Sequence, residues 1–307
     1  MTSFRVRVPA TSANLGPGFD TLGIALAYGD EVTVETLREP GVRVEVHGVG
    51  EGEVATDASN LVARSAAHVF ERVGREMPGL RITAHNRIPH GRGMGSSGSA
   101  IVAGVMIAAG VLAHDPAQPL VLSDEDLLRF ATELEGHPDN VAPALFGGLT
   151  IAWTNAAGPR FKRLSVHRGV APLVLVPDFT MSTELARSLQ PAQVPHEDAV
   201  FNVSRSALLV AALTQSPELL FEATEDRLHQ DYRGAAMPQT RDLITALRAA
   251  GHAAVVSGAG PSILVLASDP AQRLAAAELA REYAGNWRPL FLAVDIKGAT
   301  VEEIPAA

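Results

Sequence analysis

The residues best suited to chemistry lie together in Pro89-His90-Gly91-Arg92-Gly93-Met94-Gly95-Ser96-Ser97-Gly98-Ser99-Ala100. Four glycines and three serines are interleaved here, and fourteen almost wholly apolar residues, Ala100 to Ala113, follow without a polar spacer. Glycines let backbone approach an anion closely, serines cap a helix and offer hydroxyls, and a helix N-terminus supplies free N–H groups and the positive end of its dipole. The pattern is that of a phosphate cradle opening a core helix. It is not the G-x-x-x-x-G-K-[ST] loop, because Lys162 and Lys297 are the only lysines in the chain. Phosphates held here would be neutralised by backbone, magnesium and arginine. A flexible Gly/Ser connector shares the composition, but connectors do not normally run straight into a buried helix. The apolar run is also shorter than the roughly 20 residues that span a bilayer, which favours a core helix.

Further loops carry unusual residue choices. Thr11-Ser-Ala-Asn14-Leu-Gly-Pro-Gly-Phe-Asp20 combines an amide and a carboxylate with rigid prolines and permissive glycines. Asp20 suits an ammonium or hydroxyl and Asn14 either polarity, as a zwitterionic ligand requires; local Asx turns are the competing reading. In Glu133-Leu-Glu-Gly-His137-Pro-Asp-Asn140, Glu133 lies near a helix end whose dipole opposes a carboxylate. A hard cation such as Mg²⁺ would explain that placement, since it takes one or two carboxylates and fills its shell with water and phosphate oxygens. His137 lacks the spacing partners of a zinc site, and a structural role for it stays open. Arg187, after Thr183, and Arg233, five residues before Pro238, each offer a bidentate fork to carboxylate or phosphate, although solvated surface arginines are commoner. Ser257-Gly-Ala-Gly-Pro-Ser262 is a second glycine-rich turn, either a tight hairpin or a close backbone approach to a site.

The elements that must position these loops follow from periodicity. Strands are predicted over residues 4–8, 30–37, 42–47 and 80–85, a helix over 60–73, and a capping box at Ser123 opens a helix through Leu134. Residues 146–153 read as a turn into a strand. The polar Gly/Pro stretch 155–160 marks a candidate boundary between a nucleotide-binding domain, 1–157, and a second domain, 158–307. That second half alternates strands (173–177, 254–256, 263–267, 288–296) with helices (199–214, 217–225, 240–250, 271–283), which suggests an α+β sandwich of the ferredoxin type.

A chain of 307 residues with 47% hydrophobic content can bury a sizeable core, and the absence of cysteine excludes disulfides and thiolate metal sites. The net charge of −9 argues against nucleic acid or an anionic membrane as partner. The N-terminus reads as a strand rather than a signal peptide, so the cytoplasm is the expected compartment. A nicotinamide-binding reading fails because no acidic residue ends a second strand about 20 residues beyond the glycine loop.

Together these motifs resemble the GHMP kinases, the superfamily of galactokinase, homoserine kinase, mevalonate kinase and phosphomevalonate kinase. Residues 89–100 match its Pro-x-x-x-Gly-Leu-Gly-Ser-Ser motif with Met94 in place of leucine, and residues 257–262 match its C-terminal glycine motif. Residues 8–23 and 137–148 resemble the homoserine-phosphorylating branch more narrowly, and the likeness covers nearly the whole chain. It implies a two-domain α+β fold, with an N-terminal ribosomal-protein-like α/β domain and a C-terminal ferredoxin-like α/β sandwich. The reaction it implies is transfer of the ATP γ-phosphoryl group to L-homoserine, a step of threonine biosynthesis, with a homodimer left open.

By motif position, Asn14, Asp20, His137, Asn140, Arg187 and Arg233 would bind homoserine, and residues 89–99 would hold the phosphates. Asn60 would contact adenine, and Ser97 with Glu133 would hold Mg²⁺, the choice between Ser96 and Ser97 staying open. Where mevalonate kinase and galactokinase present an aspartate as base, this chain has Asn140, which cannot take a proton. That favours transfer without a side-chain base, since such a reaction leans mostly on positioning and charge neutralisation.

Overall fold

The computed structural model describes residues 2–305. A long first strand, β1 (Ser3–Ala13), lies antiparallel to β2 (Leu22–Leu37), which continues through β4 (Gly79–Asn86) to β3 (Val42–Gly48). Helix α1 (Leu61–Arg72) connects β3 to β4, with Asn60 as its N-cap. After β4 come α2 (Ser96–Ala113), α3 (Asp124–Glu135) and α4 (Pro138–Phe146), then the hairpin β5 (Leu149–Asn155) and β6 (Gly158–Leu164). These four helices cover one face of the sheet in a single apolar core that includes Phe4, Val34, Ile82, Val102, Leu128 and Leu145.

The second half has a four-stranded antiparallel sheet in the order β10 (Arg288–Phe291), β7 (Ala171–Val176), β9 (Ile263–Ala267), β8 (Ala254–Val256). Its helices are α5 (Thr183–Ser188), α6 (His196–Thr214), α7 (Leu220–Ala223), α8 (Gln230–Gly234), α9 (Pro238–Ala249) and α10 (Pro270–Ala280). The final strand, β11 (Thr300–Ile304), returns to the first sheet and pairs antiparallel with β1. Between the halves runs a second buried cluster that joins Ala10, Leu15 and Ile24 to Val174, Leu209 and Leu264. The two halves are thus joined by an apolar seam rather than a loose linker.

The boundary expected at 157/158 is corrected: it would cut the β5–β6 hairpin in two. Asn155 and Gly158 pair across its two-residue turn, with Asn155 Oδ1 accepting the Ala157 N–H at 2.9 Å and Gly158 at φ 111. Gly, Pro and Asn mark a hairpin as readily as a linker. The crossing between the two sheets comes after Leu164, and β11 crosses back. By length and composition α2 is the one helix among the described residues that could cross a membrane, but 67% of it is buried inside the protein, as a core helix is.

Candidate active site

Helix α2 begins at the cradle, with Gly95 as its left-handed N-cap at φ 72. A Cβ at Gly95 would overlap Thr11 Oγ1 at the end of β1, so glycine here serves both backbone shape and close approach. Met94 is fully buried beneath the loop, and its carbonyl accepts the Thr11 N–H at 3.1 Å. The N-terminus of α2 therefore hangs over two cavities that share Ser96 and Ser97.

One cavity, of about 370 Å³, is a slot lined by Val32, Val46, Val54, Leu61, Val62 and Ala100, with Asn60, Asn86 and His90 among its polar residues. The Asn60 amide is already engaged, accepting the Val62 N–H at 3.0 Å and donating to Ala55 O at 2.8 Å. It shapes the wall more than it reaches inward. Asp30, also in the wall, accepts the N–H groups of Arg87 and Ile88 at 2.6 and 2.9 Å and so fixes the entry into the cradle. Burial pushes its carboxyl above the ordinary range, partly countered by those hydrogen bonds.

The other cavity, of about 230 Å³, brings together Asn14, Asp20, Ser97, His137, Asn140, Arg187 and Arg233. Helix α4 starts beside it with His137 as N-cap and Pro138 at N1, where the missing N–H costs nothing. Two helix N-termini thus face one cavity, which favours anions. Asn140 Oδ1 accepts from Thr11 Oγ1 at 3.1 Å. Arg187, on α5, pairs with Asp20 at 2.9 Å. Arg233, on α8, is only 2% exposed and donates to Gly258 O at 3.1 Å. Burial lowers its pKa, while Asp20 and Asp226 pull the other way. Asn14 is 4% exposed; its amide donates to Gly258 O at 2.9 Å and accepts the Asp20 N–H at 3.0 Å. It joins the 11–20 loop to the 257–262 turn.

Glu133 is not in this cavity. It pairs with His68 at 2.8 Å and Arg72 at 3.0 Å, on the side of α3 that faces α1. Glu135 instead meets Ser97, whose Oγ donates to Oε2 at 3.0 Å. The expectation of a Ser97–Glu133 pair is therefore corrected to Ser97–Glu135. Residues two apart on a helix point to nearly opposite sides, and Glu135 follows Leu128 and Ala131 on the buried face. Burial pushes the Glu135 carboxyl above the usual range, against the pull of His137, Ser97 and Arg187. A half-desolvated carboxylate beside a hydroxyl is a hard-oxygen donor set that suits Mg²⁺. Of the two serines, Ser97 is the one that makes this contact.

Other expectations shift as well. Arg92 lines neither cavity: its guanidinium donates to the carbonyls of Pro177, His90 and Asp178, tying the cradle to the end of β7. Pro89 and Gly98 likewise line neither cavity. Asp139, which no sequence motif singles out, is 2% exposed and its Oδ1 is 2.6 Å from His137 Nδ1. Burial drives the His137 pKa down, but the hydrogen bond and charge of Asp139 outweigh it and hold the imidazole above its ordinary value. The cavity thus sets the guanidinium groups of Arg187 and Arg233 and the His137 imidazole against the carboxylates of Asp20, Glu135 and Asp139.

Comparison with known proteins identifies the family. The chain matches the GHMP kinases N terminal domain over residues 60–148 and the GHMP kinases C terminal domain over 207–285. It is 68% identical over 304 residues to a homoserine kinase of Leifsonia xyli subsp. xyli, covering 98% of this chain and 93% of that one. Identity to a homoserine kinase of Clavibacter michiganensis subsp. michiganensis is 66% over 301 residues, with 98% and 94% covered. The crystal structure of homoserine kinase from Cytophaga hutchinsonii superposes with a TM-score of 0.86 at 29% identity, over 98% of this chain and 97% of that one. An apolar slot and a polar cavity meeting at one helix N-terminus, with relatives this similar over almost the full length, place the chain in the homoserine kinase family of the GHMP kinases.

Proposed function

We propose that the protein phosphorylates L-homoserine with ATP, in the cytoplasm, to give O-phospho-L-homoserine for threonine synthesis. The observation that carries this reading is the pair of cavities joined at Ser96 and Ser97. The apolar slot takes a flat base. The N-terminus of α2 takes the phosphates, and the polar cavity takes a small zwitterion. Arg187, Arg233 and His137 complement the amino acid's carboxylate, and Asp20 complements its ammonium. Pairing of Asp20 with Arg187 keeps both groups poised when no ligand competes for them.

Ser97 and Glu135 would hold magnesium, which when bound neutralises charge on the phosphates. Cradle N–H groups orient the γ-phosphoryl, and Asn140, held by Thr11, orients the acceptor. The acceptor oxygen bonds to γ-phosphorus as the bond to the ADP oxygen breaks, and the hydroxyl proton leaves late to a phosphate oxygen or water. Asn140 cannot accept that proton, and Asp139 is already engaged by His137. The test is the product: purified protein with Mg-ATP and L-homoserine should yield a new phosphomonoester signal by ³¹P NMR, alongside ADP. ADP formation with no new phosphomonoester would refute the reading.

A further inference from the structure

The 11–20 loop is gripped from behind, chiefly by groups that the proposed phosphoryl transfer does not use. Its backbone is left-handed at Asn14, Leu15, Gly16 and Asp20, with φ of 70, 52, 86 and 52. Non-glycine residues persist in that region only where their surroundings over-determine them. Here the surroundings are side chains from the second half of the chain. His229 Nε2 lies 2.7 Å from Gly16 O, and Asn202 Nδ2 and Ser206 Oγ donate to Pro17 O at 3.0 and 2.5 Å. The His229 ring stacks on Phe19 with centroids 4.9 Å apart, and Arg233 lies over the Phe19 ring at 5.2 Å. Gly16 approaches so closely that a Cβ would lie 2.7 Å from Thr224 O.

His229 is 0% exposed, and burial pushes its pKa below the ordinary value, so the ring is neutral with its proton on Nε2 facing Gly16. Nδ1 is then left buried without a partner among the described residues. Asp226, 3.7 Å away, is taken up by the N–H groups of Leu228, His229 and Gln230. A phenylalanine would keep the stack and remove the orphaned nitrogen. What it would lose is the donor to Gly16.

We infer that His229 is a positioning residue for the acceptor amino acid: by holding Gly16 and Phe19 it sets where Asn14 and Asp20 face the cavity and where Arg233 lies. His229 lines neither cavity. The inference deepens the proposed function and rests on it.

The test compares wild type with His229→Phe and His229→Gln by melting temperature, kcat, and KM for homoserine and for ATP. The glutamine amide can present its N–H near the position of imidazole Nε2. His229→Phe should stay folded, raise the homoserine KM about tenfold and leave the ATP KM within twofold, as expected for a lost hydrogen bond acting through the loop. His229→Gln should recover most of that loss. Should His229→Phe fail to fold, homoserine isotherms of His229→Gln and the shorter His229→Asn decide, with Gln binding near wild type and Asn about tenfold weaker. A homoserine KM in His229→Phe within twofold of wild type, equal effects on both KM values, or Gln and Asn binding alike would overturn the inference. Wild-type protein that does not phosphorylate homoserine overturns the acceptor assignment instead, and is read without any variant.

Discussion

Replacing Glu135 by Gln isolates the carboxylate that faces Ser97, and the same change at Glu133 is its internal control. The two residues sit on one helix, yet only Glu135 lines the acceptor cavity, with Oε2 3.0 Å from Ser97 Oγ. A unit charge about 4 Å away in a medium of effective dielectric about 20 interacts by about 4 kcal/mol. Loss of one group that stabilises developing charge costs about 2.7–4 kcal/mol in other enzymes. At about 1.4 kcal/mol per tenfold, Glu135→Gln should lower kcat by about 10²–10³, and raised magnesium should recover part of it. Glu133→Gln loses only the His68 and Arg72 contacts of a side chain that is 29% exposed. It should cost under about 1 kcal/mol of stability and leave kcat within twofold. Thermal melts supply a readout independent of turnover. Without metal, Glu135→Gln should melt no lower than wild type, because a partly desolvated charge has been removed. Magnesium should raise the melting temperature of wild type and of Glu133→Gln but not of Glu135→Gln. A large kcat loss in Glu133→Gln with Glu135→Gln unaffected would refute the assignment.

Other perturbations have expected outcomes of definite sign. Arg233→Ala removes a buried cation and should raise the homoserine KM by 10²-fold or more, whereas the more exposed Arg187 should cost about tenfold; a fall in ATP affinity instead would make either one a phosphate ligand. His137 is held above its ordinary pKa by Asp139, so the stability it contributes is full below about pH 6.5 and is lost as pH rises through the higher folded value. Melting temperatures of wild type and His137→Gln should therefore converge as pH rises above about 6.5, with the homoserine KM of wild type rising in the same direction; a gap that widens with pH contradicts the ion-pair account. Asn140→Asp should not raise kcat, because a further carboxylate beside Asp139 and Glu135 repels the γ-phosphate, and a several-fold gain would end the base-free mechanism.

Much of this site is legible in the sequence, and the parts that are not have physical causes. The cradle, the capping box at Ser123 and the strands 254–256 and 263–267 can be read because local chemistry decides them. Helix α4 escapes a sequence reading because Pro138 looks like a terminator of α3, although proline at N1 equally begins a helix. Strand β11 escapes it because its pairing with β1 joins segments from opposite ends of the chain. Glu135 does carry a signal: it stands seven residues after Leu128 and four after Ala131, on the stripe that α3 buries. His229 carries no local signal, since only the fold brings it to Gly16.

The acceptor itself is the central claim, and the most direct measurement is kcat/KM by coupled ADP release at saturating Mg-ATP. L-homoserine, L-threonine, mevalonate and galactose should be compared on one preparation of folded protein. A cavity with Arg187, Arg233, His137 and Asp20 predicts homoserine as the preferred acceptor by at least about 10²-fold over mevalonate and galactose, because those alcohols leave the ammonium or the carboxylate partners unpaired. Turnover of mevalonate or galactose with none of homoserine would contradict it.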